Sequence, residues 1–169
     1  MRTALVRVAA VTAALLAGCG DASGQEQTAA EIYAAAIRWL VDDGRDSEPV
    51  EGERVFVESV DEAGIPLAVQ ADVVNLLEDE LSVRFIDAWE EAIDTAEPGD
   101  PVRDAGVLIG LGAVDVEERS PVRIYVDRYR HLLDVAAYDM LIERRAGRWR
   151  VTGDPRPVPV VERDRDQRG

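Results

Sequence analysis

The chain has 169 residues, a formal net charge of -15 and a hydrophobic content of 47%. That apolar fraction excludes a disordered acidic polymer, and the length allows one ordinary domain with its own core. The acidic balance argues against nucleic acid, whose phosphates supply most of the affinity in such complexes, and equally against electrostatic adhesion to an anionic bilayer.

The N-terminal segment is organised as a leader. Arg2 and Arg7 form a positive start, Val8 to Leu16 is an apolar run, and small residues follow. The run is too short to span a bilayer, which needs roughly 20 apolar residues. Leu16-Ala17-Gly18-Cys19 resembles the lipobox of bacterial lipoproteins at all four positions, and Cys19 is the single cysteine in the chain. The resemblance implies removal of residues 1–18 as a signal peptide and a diacylglyceryl group on the Cys19 thiol. It also implies acylation, for example by palmitate, of the new amino terminus. The mature protein would then sit in the cell envelope, lipid-anchored on the extracytoplasmic face of the cell membrane. Two acyl chains suffice for stable attachment. With that thiol used, no disulfide is open to the fold.

Residues 19–27 are small and polar and read as a flexible tether. Thr28 and Glu31 have capping-box spacing, which predicts a helix from Thr28 to about Val41. Ile32, Ala35, Ala36, Trp39 and Leu40 recur at helical spacing and form its core stripe. Asp42 to Glu53 is an acidic loop. Its spacing does not fit a calcium-binding loop, because the sixth position from Asp42 is Ser47 and not glycine. Arg54 to Val60 is rich in β-formers and predicts a strand. Pro66 suits the start of a second helix reaching about Leu81, with Val69, Val73, Leu76, Leu77 and Leu81 inward.

A short strand over Ser82–Asp87 and a short helix through Trp89 and Ile93 follow, then a loop from Ala96 to Pro101. Val107 to Val116 has almost no polar alternation and reads as a central strand, with Gly110 and Gly112 leaving one face open to close packing or a pocket. Those glycines do not continue into a phosphate-binding loop. In the next strand Val122, Ile124 and Val126 alternate with Arg123, Tyr125 and Asp127. Asp134 to Arg144 is another strand, with Ala136, Tyr138, Met140 and Ile142 on one face. Ala146-Gly147 is a two-residue turn into a strand over Arg148–Thr152. That turn sets Arg145 opposite Arg148, Arg144 opposite Trp149, Glu143 opposite Arg150 and Ile142 opposite Val151. Residues 153–169, rich in proline and charge, read as a disordered tail.

The expected fold class is α+β, a single domain over residues 28–152. Two main helices pack on one face of a curved, mostly antiparallel mixed sheet of five to six strands ending in a meander. The stretch Glu143–Val151 resembles the last hairpin of NTF2-like domains, and this resemblance implies a conical sheet around an apolar pocket.

Chemistry is hard to place. His131 is the only histidine, and its setting between Arg130 and Leu132 suggests a loop. Ser47, Ser59, Ser82 and Ser120 lie in no nucleophile-elbow motif. One histidine and a lipidated cysteine do not make a zinc site. The 34 Asp and Glu residues offer no evident acid–base pair. Arg119, Arg123, Arg128, Arg130, Arg144, Arg145, Arg148 and Arg150 crowd the C-terminal strands; the asymmetry is open to an anion site or a docking face, and the favoured account is pairing across strands, such as Glu143 with Arg150, plus solvation. No catalytic residue, metal or cofactor is therefore assigned, and Cys19 is the one site residue. The expected function is a membrane-anchored lipoprotein with a non-catalytic domain that binds an envelope protein or a small ligand. The alternatives are a carboxylate-dependent envelope hydrolase acting on glycans and a structural accessory subunit of a membrane complex.

Overall fold

The computed structural model describes residues 19–42, 53–116 and 120–160. The leader at 1–18, most of the acidic loop (43–52), Arg119 and the end of the tail (161–169) lie outside them. In chain order the elements are α1 (Cys19–Asp42), β1 (Glu53–Ser59), α2 (Leu67–Leu77) and β2 (Leu81–Phe85), then β3 (Val107–Leu111), β4 (Val122–His131), β5 (Asp134–Arg145) and β6 (Arg148–Pro157). The fold is α+β. Two helices pack with an unclosed, mixed six-stranded sheet in the order β2-β1-β3-β4-β5-β6.

The sheet has a parallel half and an antiparallel half. β1 pairs in parallel with both β2 and β3. From β3 onward each strand pairs antiparallel with the next. α2 provides the long crossover that a parallel β1–β2 pair requires. The terminal hairpin has the register that its two-residue turn dictates, with Arg144 opposite Trp149 and Ile142 opposite Val151. Ala146 and Gly147 both have positive φ, 49° and 81°, as a type I′ turn demands.

The first face of the sheet carries the main core. Val55, Val57, Ile109, Ile124, Val126, Met140 and Ile142 pack under Ile32, Ile37 and Leu40 of α1 and under Val69, Val73 and Leu77 of α2. α1 is buried around much of its circumference, because it packs against both the sheet and α2. Ala30, Ala34 and Ala36 are buried as well as Ile32 and Leu40. Arg38 ties the two helices together. It donates to Glu80 at 2.7 and 2.9 Å and to the Leu76 carbonyl at 2.8 Å, satisfying a backbone acceptor at the end of α2. A smaller cluster lies on the other face. There the β2–β3 connection lays Ile86, Ala92, Ile93 and Val102 over Phe56, Leu108 and Tyr129.

Four boundaries differ from the sequence reading. β3 stops at Leu111 instead of Val116, because beyond Gly112 the Ala113 N–H bonds Asp61 and not β4. α1 begins at Cys19, so the expected tether is helical. Thr28 does not cap it; its hydroxyl donates back to the Gly24 carbonyl at 2.8 Å, inside the helix. A helix nucleated by the buried turns at 30–41 extends at low cost through a segment without proline. α2 stops at Leu77, so Leu76 is 42% exposed and Leu81 opens β2 instead of closing the helix. β6 runs on to Pro157, through residues expected to be loose. Gly153, at φ 67°, and a register shift opposite Asp139–Leu141 carry it past the bend. Prolines are tolerated there because β6 is an edge strand.

Candidate functional site

Cys19 is the first residue of α1. The predicted attachment point is therefore joined without a break to the helix that lies in the core.

A polar row crosses the second face of the sheet. Glu58 of β1 is the register partner of Gly110 in β3, and Gly110 is the partner of Asp127 in β4. Side chains alternate along a strand, so all three share the face of Phe56, Leu108 and Tyr129, two residues away in each strand. Neighbouring strands lie about 4.8 Å apart, which puts the two acidic backbones roughly 10 Å apart. Gly110 places no side chain between them. Both acids are buried, Glu58 at 9% and Asp127 at 5% exposure.

Burial dominates the chemistry of Asp127. It pushes the carboxyl up to about 6, against smaller opposing effects of the Tyr125 hydroxyl, which donates to it at 3.2 Å, and of a backbone hydrogen bond from Gly110. A carboxyl poised there can hold or release a proton near neutral pH.

The loops at the carboxyl ends of β1 and β3 are tied down beside this row. The Asp61 carboxylate accepts the Ala113 N–H. Tyr33 of α1 donates to the Gly112 carbonyl at 3.2 Å, and burial pushes its phenol up to about 12. Space at Gly112 is tight, since a Cβ there would lie 3.1 Å from the Tyr125 carbonyl oxygen and 3.3 Å from its Cβ.

The other candidates are scattered. His131 ends β4, exposed, and its Nδ1 accepts the Leu133 N–H at 3.2 Å. Ser59 caps a local turn at Asp61, and Ser120 accepts the Arg144 N–H at 3.2 Å. Ser47 lies outside the described residues. Among the described residues no group of three His, Cys, Asp or Glu is placed to hold a metal ion. No helix among them is long and apolar enough to cross a membrane.

Much of the arginine cluster is paired within the fold. Arg123 bonds Asp139 at 2.9 Å and buried Arg128 bonds Asp134 at 2.9 Å. Arg130 lies between Glu53 and Asp134, at 3.7 and 3.6 Å, and reaches the Val41 carbonyl at the end of α1. Glu143 is held by Arg145 on its own strand, although its cross-strand neighbour is Arg150.

Sequence reading singled out the Gly110 gap and the polar alternation through Asp127, but it missed Glu58 and the pairing of the two acids. Residues 58 and 127 meet only through strand register, for which no local signal exists. No family model, curated protein sequence or solved structure matches the chain.

Proposed function

We propose that this chain is a lipid-anchored protein of the bacterial cell envelope whose folded part is a non-catalytic binding or accessory domain on the extracytoplasmic side of the membrane. The observation that carries the reading is the lipobox Leu16-Ala17-Gly18-Cys19. The direct passage from Cys19 into α1 supports it, because the anchor and the folded core are then one continuous element. Partners on this reading are the membrane, through the lipid on Cys19, and an envelope protein or small ligand. The test is expression of the full chain in a bacterial host fed labelled palmitate. The wild type should take up label and sediment with membranes, and Cys19→Ala should do neither. Label on the Cys19→Ala chain would sink the proposal.

A second reading is favoured by the Glu58–Gly110–Asp127 row, namely a carboxylate-dependent hydrolase acting on envelope glycans. A carboxyl raised to about 6 and a second buried acid on the far side of β3 are the kind of groups such a reaction uses. Peptidoglycan fragments incubated with the protein should be cleaved, and Glu58→Gln and Asp127→Asn should each abolish cleavage. Cleavage that survives both substitutions would exclude this row as the site.

A further inference from the structure

The opening turns of α1 and the β5–β6 turn lie at one end of the molecule. α1 is fixed against the sheet at two levels. Near its C-terminus Arg130 of β4 reaches the Val41 carbonyl, and eight residues earlier Tyr33 bonds Gly112. Gly112 is in turn bonded to Tyr125 of β4. The helix therefore rises along β4 in the same sense. At about 1.5 Å per helical residue and about 3.3 Å per strand residue, Thr28 is level with the start of β4 at Val122. Cys19 then lies about 13 Å beyond that level. Val122 pairs with Ile142, so Ala146-Gly147, four to five residues further on, projects about as far in the same direction.

This turn is locally basic, although the exposed acids Asp61, Glu62 and Asp115 lie on the loops at the same end of the sheet. Between residues 143 and 150 stand Arg144, Arg145, Arg148 and Arg150 against one acid, Glu143. All four arginines are exposed, and Glu143 is engaged by Arg145. The nearest acids on α1 are Asp21 and Glu26. The opposite end carries both signs, with Arg54 and Arg103 beside the acids of residues 94–104. There the segment holding Asp94, Glu97, Asp100 and Asp104 lies along the far end of β4, where Val102 bonds Arg130 and Gly99 bonds Leu132.

We infer that the β5–β6 hairpin is a membrane-facing surface whose arginines engage the phosphates of anionic lipid headgroups. An acyl chain and a basic patch are the two signals that together hold a protein on a bilayer. The net charge of the whole chain argued against any attraction to an anionic bilayer. A net value does not describe the local surface of this hairpin, where four exposed arginines stand against one acid. The orientation rests on the proposed lipid anchor, whereas the arginine surface can be tested without it.

The chain from residue 19 onward contains every described element and, with Cys19→Ala, carries no acyl group. It would be mixed with vesicles of phosphatidylcholine alone and of phosphatidylcholine with phosphatidylglycerol, and bound protein measured by co-sedimentation. Binding should require phosphatidylglycerol and weaken with salt. Arg144→Gln and Arg148→Gln should each weaken it about fivefold. Arg84→Gln, at the opposite edge of the sheet, removes the same charge and should leave binding unchanged. Thermal melts would verify that each variant is folded. Binding without headgroup preference, or an equal loss with Arg84→Gln, would overturn the inference. So would binding to soluble polyphosphate with none to vesicles. Loss of palmitate labelling tests the anchor separately, and neither result decides the other.

Discussion

Asp127→Asn gives the sharpest physical test of the structure. The carboxyl, 5% exposed, moves from 3.8 to about 6 because burial disfavours its charge. A shift of that size corresponds to roughly 3 kcal/mol between the two protonation states. The sign follows from which state binds the proton more tightly. The folded carboxyl holds its proton to a higher pH than the unfolded one. Its contribution to stability is therefore full below 3.8 and is lost as the pH rises through about 6. Asparagine keeps the shape and cannot ionise. The difference in unfolding free energy, variant minus wild type, should then rise by roughly 3 kcal/mol between about pH 3.5 and 7 and stay level above that. Urea titrations of both proteins across this range measure it, and the difference cancels the many other carboxylates. A difference that is flat with pH, or that grows toward acid, would show that Asp127 is not held as a buried acid.

Two further substitutions test the terminal hairpin. Trp149 packs against the main core beside α1, so Trp149→Ala should cost about 3 kcal/mol in urea unfolding. Arg150 points to the other face and is exposed, so Arg150→Ala should change stability by less than about 0.5 kcal/mol; equal small effects would mean that the face assignment is wrong.

How much could be read from sequence depended on the range of the signal. The β5–β6 register was legible to the residue, because a two-residue turn leaves one pairing and the alternation of Ile142, Trp149 and Val151 selects the inward face. The mixed sheet was legible from the helix between the first two strands. The start of α1 was not, since the composition of residues 20–27 describes local preference and not the cooperative extension of a helix already anchored at 30–41. Pro155 and Pro157 suggested a loose tail because proline breaks most strands, and no local feature marks an edge. Glu58 and Asp127 were hidden by distance along the chain. The arginine surplus was visible, but its location beside Cys19 depends on the direction in which α1 crosses the sheet.

The outer edge of β6 has a further consequence. Val158 donates inward to the Ala137 carbonyl, so alternate residues direct their backbone nitrogens the other way, and those residues include Pro155 and Pro157. At both positions the outward hydrogen-bond donor is missing. A second chain laid along this edge would meet acceptors without the alternating donors that a growing ladder needs. At the other edge β2 has only five residues, and Arg84 is engaged there by Glu91 at 2.7 Å. Both margins of the sheet thus resist lateral polymerisation. If the proposed anchor holds the protein on a membrane, that protection gains value, because neighbours on a two-dimensional surface would be concentrated and turned the same way.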